Sequence, residues 1–355
     1  MTASGDDLGS AERLGELRRA GGAVRLAVVG SGRIAGVHAR ALARVAGGRL
    51  VACADAVPEV AERFAAEHGL AVRATFADVL DDPEIDAVLI ATPNALHPDQ
   101  TIAALDAGKH VFCQKPIALT TEDADRVVAA ARASDRVVQF GFMLRFTPPL
   151  TRVKELVDAG TIGAPIALTA NIFGWEPSAD WFYDPAAGGG VILDTMVHFA
   201  DLVRWLLGDV QRVTADGGPY VLEGARRHDS PDNAIVTMRH AGGAMSSMYV
   251  TWTAGHGNFR LELFGSEGSV IVDLVDRQAS QLFLRRPHGD VHPAGWSYPD
   301  LVWDYGYGNE QQHFIDRIRG VAADGHAATA EDAAAALELV LRAQQALDEA
   351  RAAVL

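Results

Sequence analysis

The chain has 355 residues, which is long enough for two domains with separate hydrophobic cores. Its formal net charge is −15, and no lysine-rich or arginine-rich block interrupts the acidic balance. We therefore expect no nucleic-acid partner, because neutralising phosphates requires a basic surface. No apolar run approaches the ~20 residues of a membrane-spanning helix, so no membrane partner is expected either.

The N-terminal segment, residues 1–22, is polar and is predicted to be a flexible extension. Two arginines precede a short apolar stretch there and resemble the start of a signal peptide, but Arg25 interrupts that stretch. The two cysteines, Cys53 and Cys113, lack the spacing of a metal or redox site and are typical of buried thiols in a reducing compartment. The sequence thus predicts a cytoplasmic protein.

Residues 23–145 alternate short apolar runs with helical patterns. The runs are rich in β-branched residues, as in parallel strands that are buried on both faces. The alternation predicts a doubly wound α/β Rossmann domain with a parallel sheet. The predicted strands are residues 24–30, 49–55, 86–92, 110–114 and 137–141.

The pattern changes in residues 146–355, where strand candidates follow one another without helices between them. Alternating polar and apolar residues predict an α+β domain with an open, largely antiparallel sheet, whose second face an oligomer would cover. One helix is predicted before these strands, near 190–207, and two after them, near 309–320 and 330–353, which could pack back on the first domain. The strand candidates are residues 210–216, 233–240, 244–253, 258–264, 269–274 and 281–285.

The stretch VRLAVVGSGRIAG, residues 24–36, has the G-x-G-x-x-A spacing of a dinucleotide-binding turn. Gly30 would permit the tight turn, Gly32 would let the backbone approach a pyrophosphate, and Ala35 would allow close packing of helix on strand. Arg33 and Ile34, between them, are predicted to contact the same ligand. A structural turn without a ligand is the alternative.

Asp55 ends the second predicted strand, where a carboxylate would accept hydrogen bonds from the adenosine ribose. Its charge would repel a 2′-phosphate, and the next two residues are Ala56 and Val57 rather than arginine. NAD is therefore favoured over NADP. Arg33 keeps NADP open, because an arginine near the turn could pair with a phosphate.

The stretch AGGGVILDTMVHFADLVRWLLGD, residues 187–209, predicts a helix whose apolar residues share one face. Asp194, His198 and Asp201 follow at i, i+4 and i+7, which places all three on another stripe. The glycines at 188–190 would let a ligand or another backbone come close. A solvated surface pair and a metal-ligand pair are the alternatives for Asp194 and His198, but no third ligand stands at a recognisable spacing, so no metal is expected.

Three motifs in one order carry a family resemblance: GSGRIAG, then ATPNALHPDQTIAALDAGKHVFCQKP, then GGGVILDTMVHFADLVRWLLG. From about residue 24 to residue 345 the chain resembles the Gfo/Idh/MocA oxidoreductases. The resemblance implies that Lys115 matches the lysine of an E-K-P motif, which reaches the reacting carbinol. It also implies that Asp194 and His198 match a D-x-x-x-H pair facing the nicotinamide, and that the segment 92–94 lines the cofactor. The resemblance further implies that residues 146–355 form the domain used for substrate binding and oligomerisation.

The residue types suit hydride transfer from an alcohol to NAD. His198 could act as general base near neutral pH, since an unperturbed imidazole has a pKa of roughly 6.5. Lys115 could stabilise the developing alkoxide, and Asp194 could orient His198 or bind a neighbouring hydroxyl. Gln114 departs from the glutamate of E-K-P, although an amide can still bond a ribose hydroxyl. A lysine that merely flanks a turn is the alternative for Lys115.

Aromatic residues interleaved with acids and histidines, in residues 173–184 and 285–314, suit stacking on a sugar ring. An aromatic domain or subunit interface is the alternative. We expect oxidation of a secondary hydroxyl of a sugar, glycoside or inositol-like cyclic polyol by a homodimer or homotetramer. An NADP-dependent keto-sugar or carbonyl reductase and a non-catalytic dinucleotide-bound sensor are the other hypotheses. The sequence does not specify the sugar, the carbon oxidised or the physiological direction.

The predicted cofactor contacts are Gly30, Gly32, Arg33, Ile34, Ala35, Asp55, Thr92, Pro93, Asn94, His97, Gln114 and Lys115. The predicted substrate contacts are Lys115, Arg145, Trp175, Trp181, Asp194, His198 and Tyr305.

Overall fold

The computed structural model describes residues 22–174, 176–255, 258–274, 280–285, 291–296, 306–321 and 326–353. These residues divide into two compact units. The first unit contains the described residues up to Ala118, Glu122–Phe146 and Gly306–Ala333. The second contains Leu119–Thr121, Thr147–Tyr305 and the residues from Ala334 onward. The chain thus crosses from one unit to the other more often than a single boundary after residue 145 would imply.

The first unit contains a parallel sheet with the strand order β3-β2-β1-β4-β5-β6. Its central strands are buried on both faces, as their unbroken apolar sequences require. The predicted doubly wound Rossmann fold is therefore confirmed. The strands are β1 Val24–Val29, β2 Gly48–Ala54, β3 Ala71–Val72, β4 Ala87–Ile90, β5 His110–Cys113 and β6 Val138–Phe140.

The second unit contains a mostly antiparallel sheet with the order β14-β13-β12-β11-β7-β10-β9-β8, in which β7 and β10 pair in parallel. The mixed but largely antiparallel sheet confirms the predicted fold class of this part of the chain. Strand β14 lies within residues 285–314, where no strand was predicted. The strands are β7 Pro165–Phe173, β8 Val210–Gly218, β9 Asn233–His240, β10 Met245–Thr251, β11 Asn258–Gly265, β12 Gly268–Asp273, β13 Ser280–Arg285 and β14 Val291–Trp296.

The helices of the described chain are α1 Arg33–Leu42, α2 Pro58–His68, α3 Phe76–Leu80, α4 His97–Asp106, α5 Thr121–Ala133, α6 Pro148–Asp158, α7 Val197–Leu207, α8 Glu223–Arg227, α9 Tyr307–Ile318 and α10 Ala330–Ala352. Short 3₁₀ turns cover Asn94–Leu96, Met143–Phe146 and Asp180–Phe182, and a π-helical turn covers Ile192–Met196. Among the helices that the structure describes, none is long and apolar enough to cross a membrane.

Helix α9 completes the core of the first unit although it lies far along the chain. Its apolar face buries Phe314, Ile315 and Ile318 in the same cluster as β1 and β5, and the ring of Phe314 meets Phe112 edge-on at 5.6 Å. Burying a large apolar side chain stabilises a fold by roughly 1.5–3 kcal/mol. Helix α9 is therefore part of this core rather than an appendage to the second unit.

Candidate active site

The turn after β1 is built as a dinucleotide turn requires. Gly30 has φ +84°, and a Cβ there would lie 2.6 Å from the carbonyl oxygen of Ala91. A side chain is excluded both by the left-handed backbone and by the approach of the chain that follows β4. Ala35, inside α1, is fully buried against the core of the sheet. The close packing expected from a small residue at this position is present.

Gly32 stands at the N-terminus of α1 and faces open space, since a Cβ there would meet no atom within 4 Å. In the described structure α1 has no side-chain cap and no acidic residue in its first turn. Its first N–H groups and the helix dipole thus favour an anion at this point. These features fit a pyrophosphate, and Arg33 lies exposed beside them while Ile34 packs partly against the core.

Asp55 connects the end of β2 with the glycine turn. Its carboxylate accepts hydrogen bonds from the backbone N–H of Ser31 at 2.7 Å and of Val57 at 2.9 Å. A carboxylate has about four lone-pair sites, so two backbone donors leave capacity for ribose hydroxyls. Asp55 therefore both braces the turn and fits its predicted role toward the ribose.

The ring of His97, a predicted cofactor contact, has its contacts with the protein backbone. Its ring is fully buried, with Nδ1 2.7 Å from the carbonyl oxygen of Pro116 and Nε2 3.0 Å from that of Thr92. Both polar atoms of the ring thus face the protein backbone, which favours a bracing role between the two loops. Burial lowers the pKa of His97, although the two carbonyls oppose this and the charge of Lys115 adds to it.

The loops after β4 and β5 carry four more of the predicted site residues. The hydroxyl of Thr92 donates to the side-chain oxygen of Gln100 at 2.6 Å. Pro93 is exposed, and Asn94 is buried in the turn that leads into α4. Lys115 is half-buried. It follows Gln114, which is the first residue after β5. These positions lie at the carboxyl ends of β4 and β5, where open α/β sheets bind their ligands.

Gln114 faces the interior, contrary to the expected ribose contact. Its side-chain nitrogen lies 2.5 Å from Nε2 of His38, a fully buried residue of α1. A Cβ on Gly141 would lie 2.8 Å from the same nitrogen, so that glycine makes room for the amide. The physical reason for the difference is the buried imidazole, whose ring nitrogens require hydrogen-bond partners inside the core.

The other ring nitrogen of His38 lies 3.0 Å from the side-chain nitrogen of Gln311, on α9. Burial lowers the pKa of His38 to about 3, so the imidazole is neutral at physiological pH. A neutral imidazole has one donor and one acceptor, and one of the two amides must therefore present its oxygen. Gln114, His38 and Gln311 thus form one buried polar chain across three segments of the first unit.

In the second unit the predicted helix begins as a π-helical turn and becomes regular at Val197. Asp194 lies in the π-turn and His198 in the first turn of α7, and both are partly exposed. Asp201, by contrast, is fully buried, so the expected stripe of three accessible residues is a pair. Helical π-turns occur frequently at functional sites.

The three glycines before this turn make room for protein rather than ligand. A Cβ on Gly188 would lie 2.5 Å from the carbonyl oxygen of Trp181, and one on Gly190, where φ is +73°, would overlap the hydroxyl of Ser230. The backbone of residues 181–182 and the hydroxyl of Ser230 thus come closer to this segment than any side chain at Gly188 or Gly190 would allow.

Two residues that the sequence analysis missed support the accessible pair. Thr195, next to Asp194, accepts a hydrogen bond from the indole N–H of Trp252 at 2.8 Å. Its hydroxyl oxygen also lies 3.4 Å from Oδ2 of Asp194. Nothing in the sequence connects these positions, since Trp252 follows Thr195 by 57 residues and stands on another element.

The remaining predicted substrate contacts have other surroundings or lie outside the described residues. Arg145 is buried, with its guanidinium 3.2 Å from the carboxylate of Asp332, which is typical of a structural ion pair. Trp181 stacks on Phe182 with ring centroids 3.8 Å apart. Trp175 and Tyr305 lie outside the described residues.

Comparison with known proteins bears on both units. Residues 24–142 match an oxidoreductase family with an NAD-binding Rossmann fold, and residues 150–271 match the C-terminal domain of the same GFO/IDH/MocA family. The chain belongs to the Gfo/Idh/MocA family. The predictions that it is an oxidoreductase and that its cofactor is NAD are confirmed.

Several members of the Gfo/Idh/MocA family are similar to this one over almost the whole chain. Myo-inositol 2-dehydrogenase of Thermotoga maritima is 32% identical over 92% of this chain and 97% of its own. The structure of a proposed myo-inositol dehydrogenase from Sinorhizobium meliloti 1021 superposes with a TM-score of 0.78 at 28% identity, covering 92% and 98% of the two chains. The WlbA dehydrogenase from Bordetella pertussis, solved with NADH and UDP-GlcNAcA, gives a TM-score of 0.81 at 25% identity over 93% and 96%.

Proposed function

We propose that this family member is an NAD-dependent dehydrogenase that oxidises a secondary hydroxyl of a sugar, a glycoside or an inositol-like cyclic polyol. The observation that carries the proposal is the partly exposed pair Asp194 and His198 in a chain 32% identical to a myo-inositol 2-dehydrogenase. A neutral imidazole beside a carboxylate is suited to removing a hydroxyl proton near neutral pH. We also assign Lys115, which is half-buried and follows β5, as the cation of the proposed reaction.

NAD, when bound, supplies the hydride acceptor. We assign the general base to His198, and because its Nδ1 is buried we propose that the hydroxyl proton is taken at Nε2. The ammonium of Lys115 would stabilise the negative charge that develops on the alcohol oxygen. Asp194 would hold the imidazole in its productive orientation or accept a hydrogen bond from a neighbouring substrate hydroxyl.

The first test is a panel of sugars and polyols assayed by NADH absorbance, with NADP run in parallel. We expect turnover of at least one polyol with NAD. In Lys115→Ala and His198→Ala, turnover should fall by about 10² or more, because a general base or an alkoxide partner contributes that much. Dinucleotide binding, followed by nicotinamide fluorescence, should remain close to that of the wild type and serves as the folding control.

Near-wild-type turnover in both variants would contradict the assigned roles. Reduction of a keto-sugar with NADPH alone would favour the reductase hypothesis. Tight dinucleotide binding without turnover across a broad panel would instead favour the non-catalytic sensor.

A further inference from the structure

Trp252 is held rigidly inside the second unit. It follows β10, is 4% exposed, and its backbone N–H donates to the carbonyl oxygen of Asp232 at 2.9 Å. Tyr183 meets its ring edge-on at 5.5 Å, and Gly174 lies against the Cδ1 edge of the indole, since a Cβ there would be 3.0 Å from Cδ1. The indole N–H is therefore directed by packing rather than by a freely rotating side chain.

The chemistry of the groups fixes the direction of the hydrogen bonds. An indole nitrogen can only donate, so Thr195 must accept the bond from Trp252. Thr195 uses a lone pair for that bond, which leaves its own hydroxyl proton to point elsewhere. The carboxylate oxygen Oδ2 of Asp194, 3.4 Å away, is an acceptor in the right position.

Asp194 lies in the π-turn, a kind of turn that is frequent at functional sites. The direction of its carboxylate is set by the side-chain rotamer and by the groups that the carboxylate contacts. The contact from Thr195 reaches it from the adjacent residue, and Trp252 fixes Thr195 from the sheet.

We propose that Trp252 and Thr195 are positioning residues that form a polarised hydrogen-bond relay, from the indole N–H through the threonine hydroxyl to the carboxylate of Asp194. The relay holds that carboxylate in one orientation. Donors aligned in series polarise one another, so the bond to the carboxylate is stronger with the indole in place than without it. The consequence for catalysis rests on the proposed function, whereas the relay itself does not.

The direct test is nuclear magnetic resonance of the Trp252 indole N–H, assigned by its loss in Trp252→Phe. Asp194→Asn should move this signal, because the charge at the end of the relay is removed. In a Thr195→Val background, which is nearly isosteric but has no hydroxyl, Asp194→Asn should leave the signal unmoved. In a Thr195→Ser background, which keeps the hydroxyl, Asp194→Asn should move it again.

Kinetics provide the second test if a substrate has been found. Thr195→Val should lower kcat/KM by about tenfold, the usual effect of losing a hydrogen bond to a charged group. Thr195→Ser, which keeps the hydroxyl, should recover most of that loss. The double variant Thr195→Val with Trp252→Phe should be no worse than Thr195→Val, since the indole acts through the hydroxyl.

The relay is overturned if Asp194→Asn leaves the indole signal of the folded protein unmoved, or if it still moves that signal in the Thr195→Val background. Additive losses in the double variant, with no recovery of activity in Thr195→Ser, would also overturn it by indicating a purely structural contact. Failure of the whole substrate panel would count against the proposed function alone, because the resonance experiment needs no substrate.

Discussion

The buried imidazole of His38 contacts the side-chain amide of Gln114. The sequence analysis assigned Gln114 to the ribose as a replacement for a glutamate, but its amide is used by a buried imidazole. Neutral Gln114 matches neutral His38, and a carboxylate in its place would favour the protonated imidazole. The glutamine that departs from E-K-P therefore suits the buried, neutral imidazole of the first unit.

The low pKa of His38 predicts an acid-sensitive fold. Since the pKa is lowered from 6.5 to about 3, the unfolded chain takes up the proton first, and stability falls as pH drops through that window. Denaturant unfolding of His38→Gln should show a flatter dependence on pH than the wild type. Arg40→Gln, on the exposed face of α1, is the matched control, and equal slopes in wild type and His38→Gln would contradict the prediction.

At the scale of elements, one imidazole joins the loops that follow β4 and β5. His97 opens α4 and touches the backbone of both loops, so the spacing of the two strand ends depends on it. Both loops carry residues assigned to the cofactor or to the reaction. The bracing histidine therefore couples the stability of the sheet edge to the geometry of the candidate site.

His97→Asn should weaken both properties. The shorter side chain cannot bridge the two loops, and the carbonyl that accepts the imidazole N–H would lose its donor, which costs about 1–3 kcal/mol. We expect a loss of that size in the free energy of unfolding and a several-fold weaker affinity for NADH, measured by denaturation and by nicotinamide fluorescence. Asp99→Asn, an exposed change on the same helix, is the control. Unchanged NADH affinity in a destabilised His97→Asn protein would restrict the histidine to a purely structural role.

At the scale of the whole molecule, the outer face of the second sheet is the surface on which assembly would depend. Strand β9 alternates buried residues with exposed ones, and Ile235 on β9 and Met245 on β10 are 53% and 44% exposed. Large apolar side chains on one open sheet face are typical of surfaces that pair in symmetric oligomers. We propose a homodimer or homotetramer formed through this face.

Light scattering after size exclusion tests that assembly. The wild type should elute at the mass of a dimer or a tetramer. A double change, Ile235→Lys with Met245→Lys, should shift it to the monomer because two charges would be buried without partners. Val72→Lys, an equally exposed apolar position on β3 in the first unit, should leave the mass unchanged. A monomeric wild type would refute the proposal.

The sequence by itself determined the parts of this protein that depend on short-range pattern. Unbroken apolar runs between helical segments identified the parallel sheet, and alternation identified the second sheet with one open face. The sequence also predicted the glycine turn and Asp55, because the glycine spacing and a carboxylate at the end of a strand are both recognisable within a few residues.

Only the tertiary structure decided which side chains meet. Helix α9 returns to the first core, His38 takes the amide of Gln114, and Trp252 reaches Thr195 across 57 residues. None of these pairings follows from local periodicity, because each depends on how distant elements pack and on the requirement that buried polar atoms find partners. The sequence could thus predict candidate reacting residues, whose roles stay predictions, whereas it could not predict the residues that contact them in the fold.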